Sequence, residues 1–166
     1  MLILRSFLTL ALMAGTGFAE SAEPPKFYKL DFVVKEVEGG KVVNSRAYSI
    51  LASTESSYSA SIRAGSKVPL PASSASGSPV AYADVGTNID CRSLREVQQH
   101  DLALNVSADI ASTVREQGSN EPPVIRQNKW TSSVIVPLRK ASLIFSSDDA
   151  TTKRQLQLEL TATPVP

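Results

Sequence analysis

The segment Ala60-Ser-Ile-Arg-Ala-Gly65-Ser-Lys-Val-Pro69, and after a Ser/Ala-rich passage Tyr82-Ala-Asp84-Val-Gly86-Thr-Asn-Ile89-Asp-Cys91, decides the fold of this chain. Neither piece carries a catalytic or metal-binding spacing. The first predicts a strand from about Tyr58 to Val68. The second predicts a strand over about 80–92 that contains Tyr82, Val85, Ile89 and Cys91. Between them, residues 69–79 read Pro-Leu-Pro-Ala-Ser-Ser-Ala-Ser-Gly-Ser-Pro. That composition has too little apolar mass to order itself and predicts a surface loop. Gly65 and Gly86 are expected to serve the backbone, through a positive φ, a bulge or a close approach of strands.

The same two-residue period recurs outward in both directions. In residues 27–37, Tyr28, Leu30, Phe32 and Val34 share one face, and Lys29, Asp31 and Lys35 the other. Glu38-Gly39-Gly40-Lys41 predicts a hairpin turn, because glycine takes positive φ without a steric penalty. A second strand follows at about 42–53, with Tyr48 and Ile50 on one face. Residues 93–100 are polar and read as a turn or a single helical turn. The clearest alternation comes next: Leu102, Leu104, Val106, Ala108 and Ile110 against Ala103, Asn105, Ser107, Asp109 and Ala111. Residues 115–123 read as a loop. A long strand from Val124 carries Trp130, Val134 and Val136 and ends near Pro137. A short strand at 141–146 and a turn at 147–149 lead to a last strand at 153–163, where Leu156, Leu158, Leu160 and Ala162 alternate with polar residues. Eight strands with little helical periodicity predict an all-β chain: a single-domain antiparallel or mixed β sandwich, or a curved open sheet.

The start of the chain is of a different kind. Arg5 precedes an apolar run from Phe7 to Phe18, and the small residues Gly17 and Ala19 stand before a cleavable bond. This predicts a secretory signal peptide at 1–19. The run is shorter than the roughly 20 residues a membrane-spanning helix needs. Residues 20–26 are expected to be a disordered linker and 27–166 the β domain. Loss of Arg5 leaves 16 basic residues against 16 acidic ones. A neutral chain has no overall field to hold nucleic acid or an anionic membrane, so no nucleic-acid partner is expected. After signal removal no integral membrane segment is expected. Cys91 is the only cysteine, so an internal disulfide is excluded and a buried apolar role is expected.

The motifs resemble those of the secretin homology domain, the β-rich module of the outer-membrane channels of type II and type III secretion and of type IV pili. There the phrases run approximately A-x-I-x-x-G-x-x-V-P and Y-x-D-V-G-x-x-I/L. Here they are met by Ala60, Ile62, Gly65, Val68 and Pro69, and by Tyr82, Asp84, Val85, Gly86 and Ile89. Pro123-Val-Ile125-Arg126-Gln-Asn128 is similar to the family's P-x-I-x-x-R/N region. Thr131 to Ile144, following Trp130, is similar in spacing to the next strand, and Gln155 to Pro164 resembles the terminal Leu-rich strand. Two departures stand out: the proline expected after Ile89-Asp-Cys91 is missing, and Arg139-Lys140 stands where the family has a turn glycine. The resemblance implies a secretin-like scaffold whose motif residues are Gly65, Pro69, Tyr82, Asp84, Gly86, Pro123, Arg126 and Trp130. In secretins a long insertion separates the last two strands; here Phe145 and Gln155 are ten residues apart. The pore-forming hairpins are therefore expected to be absent.

No residue set argues for catalysis. His100 is the only histidine, and its neighbour Asp101 would point to the opposite face of a strand. Asp148-Asp149 lacks the alternating oxygen ligands of a calcium loop and reads as a turn. No cofactor and no metal is expected, and the chain is not expected to be an enzyme. The expected function is an exported, periplasmic or outer-membrane-associated β-domain with a structural or binding role beside other envelope, secretion or pilus proteins. The alternative is an unrelated periplasmic or surface β-sandwich binding module.

Overall fold

The computed structural model describes residues 24–55, 57–70, 81–98, 100–114, 124–149 and 152–166. The expected signal peptide, the loop at 115–123 with Pro123, and most of the loop at 69–79 lie outside them.

Alternating sequence becomes strand in each of eight segments: β1 (Phe27–Glu38), β2 (Lys41–Ser53), β3 (Ala60–Leu70), β4 (Ala81–Val97), β5 (Asp101–Val114), β6 (Val124–Pro137), β7 (Ser142–Asp148) and β8 (Arg154–Val165). They form two antiparallel four-stranded sheets, ordered β2-β1-β8-β7 and β3-β4-β5-β6. The expected all-β architecture is the one observed, as a sandwich.

Local chemistry explains the joints. Gly39 and Gly40 both have positive φ, 57° and 79°, which suits a two-residue hairpin between Glu38 and Lys41. The chain passes from the first sheet to the second after Ser53, and there the Thr54 N–H donates to the Lys26 carbonyl at 3.0 Å. The return crossing at 138–141 is fixed by two backbone bonds. The Leu138 N–H donates to the His100 carbonyl and the Arg139 N–H to the Ala162 carbonyl, each at 2.7 Å.

The core lies between the sheets. Tyr28, Leu30, Phe32 and Val34 of β1 and Leu158, Leu160 and Ala162 of β8 face Ile89 and Cys91 of β4, the even-numbered residues Leu102 to Ile110 of β5, and Val136 of β6. Leu156 is only half-buried, because it lies toward the end of the first sheet where Glu38 and Arg154 pair at 3.0 Å. Trp130 packs against the edge of this core, with its ring centroid 5.4 Å from that of Phe145.

The turn expected over 93–100 is confined to its end, where Gln98 and His100 lie in the turn between β4 and β5. Before it, β4 continues to Val97 through a bulge between Arg92 and Arg95, with Ser93 at φ 56°. The extra residue resets the alternation, so Leu94 turns into the core although its surroundings are polar. Other boundaries also move: β3 starts at Ala60 rather than Tyr58 and β8 runs on to Val165. Pro69 and Leu70 belong to β3, and Ser147 and Asp148 to β7.

Candidate functional site

The motif residues divide by where the topology places them. β3 and β4 pair in the register Gly65 with Gly86, Lys67 with Asp84, and Pro69 with Tyr82. Five of them, Gly65, Pro69, Tyr82, Asp84 and Gly86, therefore lie on one two-stranded ribbon. β5 pairs with β4 only from Ala111 opposite Gly86 onward, while Ser112 to Val114 stay with β6. Beyond Gly86 the β3–β4 ribbon thus separates from the rest of its sheet.

The glycine pair sits at that root. Gly86 has φ 145°, a region that side chains avoid. A Cβ on Gly86 would collide with the Ala64 carbonyl oxygen and the Gly65 Cα, and one on Gly65 would collide with the Val85 carbonyl. The two backbones approach too closely for any other residue. On the ribbon itself Tyr82 is well exposed, and Lys67 and Asp84 form a solvated ion pair at 3.3 Å, a geometry of small energetic worth.

Arg126 and Trp130 lie apart from this ribbon, on β6. Arg126 Nη1 donates to Asp149 Oδ2 at 2.6 Å, tying β6 to the segment after β7. Trp130 leans on Phe145 of β7. Both link the two sheets.

Two further polar links join the sheets, and neither has a signal in the sequence. Tyr48 of β2 donates from its hydroxyl to Thr87 Oγ1 at 3.1 Å, and Thr87 is fully buried. At the other end of β4, Tyr28 donates to Glu96 Oε1, and Lys26 Nζ donates to Glu96 Oε2 at 2.5 Å. Glu96, itself exposed, lies on the same face of β4 as Leu94 because the bulge at 92–95 shifts the period. The Lys26 and Tyr28 hydrogen bonds hold its carboxyl below the usual glutamate range. Burial, with the Glu96 carboxylate beside it, pushes the Tyr28 phenol up.

The chemistry these groups offer is positional. Among the described residues no three His, Cys, Asp or Glu side chains converge to hold a metal ion. His100 contributes its backbone carbonyl to the sheet crossing. Cys91 is buried, and burial together with the nearby Asp90 pushes its thiol up to about 12.

No protein-family model matches the chain, and no curated protein matches it by sequence. Solved structures do match by fold. The secretin-domain β-barrel of InvG from the Salmonella SPI-1 injectisome superposes with TM-score 0.50 at 6% identity, over 86% of this chain and 62% of that one. A near-atomic structure of the same Salmonella secretin gives TM-score 0.50 at 7% identity, covering 86% and 64%. A Salmonella basal-body structure of InvG with PrgH and PrgK gives TM-score 0.50 at 7% identity, covering 86% and 45%. The chain spans less than two thirds of these secretin chains. Its fold is secretin-like.

Proposed function

We propose that this chain is a non-enzymatic, exported β-domain that acts by association within the cell envelope, beside components of a secretion or pilus system. The observation that carries the reading is the fold likeness to InvG, which extends over 86% of the chain. The β3–β4 ribbon supports it, since five of the residues that resemble secretin motifs, Gly65, Pro69, Tyr82, Asp84 and Gly86, fall together there in one register. One matched structure holds InvG together with PrgH and PrgK, and partners of that kind are the ones proposed for this chain. The connection between β7 and β8, from Asp148 to Arg154, is short. A scaffold with so short a connection between β7 and β8 is proposed to attach to a channel or its neighbours rather than build a pore itself.

The test has two arms. Mass spectrometry of the protein from its own cells should find a mature N-terminus near Glu20, in the periplasmic or outer-membrane fraction and extractable without detergent. In-cell crosslinking from the exposed Tyr82 should then join it to envelope secretion or pilus components. A full-length cytosolic protein would defeat the export reading. Heat- and detergent-resistant multimers in the membrane fraction would show that the chain forms a channel itself.

A further inference from the structure

The outward face of the second sheet carries a groove of about 640 Å³. Its construction follows from register. Arg63 of β3, Asn88 of β4, Asp109 of β5 and Lys129 of β6 stand directly opposite one another in turn, so four polar side chains form one row across all four strands. The next row on the same face is Gly65, Gly86 and Ala111, with Gln127 at its β6 end. Over β3, β4 and β5 that row carries hardly any side chain, and the sheet surface drops there beside the polar row. Lys67 and Asp84 stand on the far side.

Two groups in the polar row are fixed by the protein, and two are left over. Arg63 Nη2 donates to Asp90 Oδ1 at 2.7 Å, and Ser61 donates to the same carboxylate oxygen at 2.7 Å. Asp109 accepts from Gln127 Nε2 at 2.8 Å. Among the described residues the Asn88 amide and the Lys129 ammonium have no hydrogen-bond or ion-pair partner. The row therefore offers held and unoccupied donors and acceptors in alternation.

We propose that this groove binds a neutral, linear oligosaccharide lying across the strands. Three features select that chemistry. The lining balances Arg63, Lys67 and Lys129 against Asp84, Asp90 and Asp109, which gives no net attraction for a strongly anionic or cationic polymer. Donors and acceptors are interleaved, which suits hydroxyl groups that both donate and accept. Adjacent strands lie about 4.8 Å apart, so the row from β3 to β6 spans roughly 14 Å, the length of about three sugar rings. An extended peptide fits less well, since the only apolar side chains in the lining are those of Ala64 and Val85, too few to give a pocket for alternate side chains.

The test is NMR titration of the folded domain with chitotetraose, cellotetraose and maltotetraose, with polygalacturonate and an acidic peptide as contrasting probes. At least one neutral tetrasaccharide should give saturable shifts confined to Arg63–Lys67, Asp84–Asp90, Asp109 and Lys129. Asn88→Ala and Lys129→Ala should each weaken that binding by at least about tenfold, the worth of one well-made hydrogen bond. Neither side chain has a protein partner among the described residues, so their melting should match wild type. Ser133→Ala, on the same face but outside the groove, should bind unchanged. The proposal is overturned if no neutral tetrasaccharide gives saturable shifts, if the shifts map elsewhere, or if the two variants bind as wild type does. Tighter, salt-sensitive binding of the polyanion or the peptide would overturn it as well.

Discussion

Gly65 and Gly86 face each other across the β3–β4 ladder at a separation that leaves no room for a β-carbon on either residue. The contact lies where β4 parts from β5, so it joins the local backbone geometry to the point at which the ribbon leaves the sheet.

Gly86→Ala should destabilise the domain through both the φ of 145° and the collision with the Ala64 carbonyl. Gly65→Ala should do so through steric overlap alone. Overpacking of this kind costs about 1–3 kcal/mol, and Gly86→Ala should lie at the upper end. Denaturant unfolding of both variants checks this. Midpoints equal to wild type would mean that the two strands do not approach this closely.

Leu104→Ala and Leu158→Ala remove fully packed side chains from opposite sheets, and each should cost about 2–5 kcal/mol. Leu156→Ala should cost clearly less, because that residue is half-buried. Thermal or urea denaturation of the three variants gives the ranking. A Leu156 variant as damaged as the Leu158 variant would contradict the packing.

The Glu96 carboxyl, held below its usual range first by the Lys26 bond and then by the Tyr28 bond, links stability to pH. A group with a depressed folded pKa contributes stability above its unfolded value, and the contribution fades as pH falls through the folded one. The Glu96 contribution should therefore be complete above its ordinary value of 4.5 and decline below it. Tyr28 works in the other direction. Its raised pKa favours the folded state below 10.0, and that advantage is lost at more alkaline pH. Melting temperatures of wild type and Glu96→Gln, measured from pH 7 to 3, should converge as the pH drops. Parallel curves would show that Glu96 contributes nothing to the pH dependence.

Cys91, with its thiol pushed up to about 12 by burial, should be inert toward thiol-specific reagents in the folded protein and react fully in denaturant. Its labelling rate in mild denaturant should follow the unfolding equilibrium. Rapid labelling of the native state would place Cys91 outside the core.

Much of the fold is legible in the order of residues along the chain. The alternation in β1, β5 and β8 identifies the buried faces, because a strand has a period of two and one wet side. Tyr28, Leu30, Leu104 and Leu158 are all buried as that pattern requires. The Gly39-Gly40 hairpin is legible for an equally local reason. The run at 93–97 is not, since a bulge inserts one residue and moves every later side chain to the other face. Leu94 and Glu96 then read as members of a polar turn.

The candidate site divides in the same way. Gly65, Pro69, Tyr82, Asp84 and Gly86 stand out in the sequence as residue types at fixed spacings, and their common ribbon follows from one hairpin. Arg126 with Asp149, Tyr48 with Thr87, and Tyr28 with Glu96 join residues far apart in the chain. The row of Arg63, Asn88, Asp109 and Lys129 takes one residue from each of four strands. By itself the sequence determined which face of a strand each side chain occupies, because alternation is a property of a single chain segment. Only the tertiary structure decided which strands became neighbours and in what register, because pairing depends on the competition of all eight strands for one shared core.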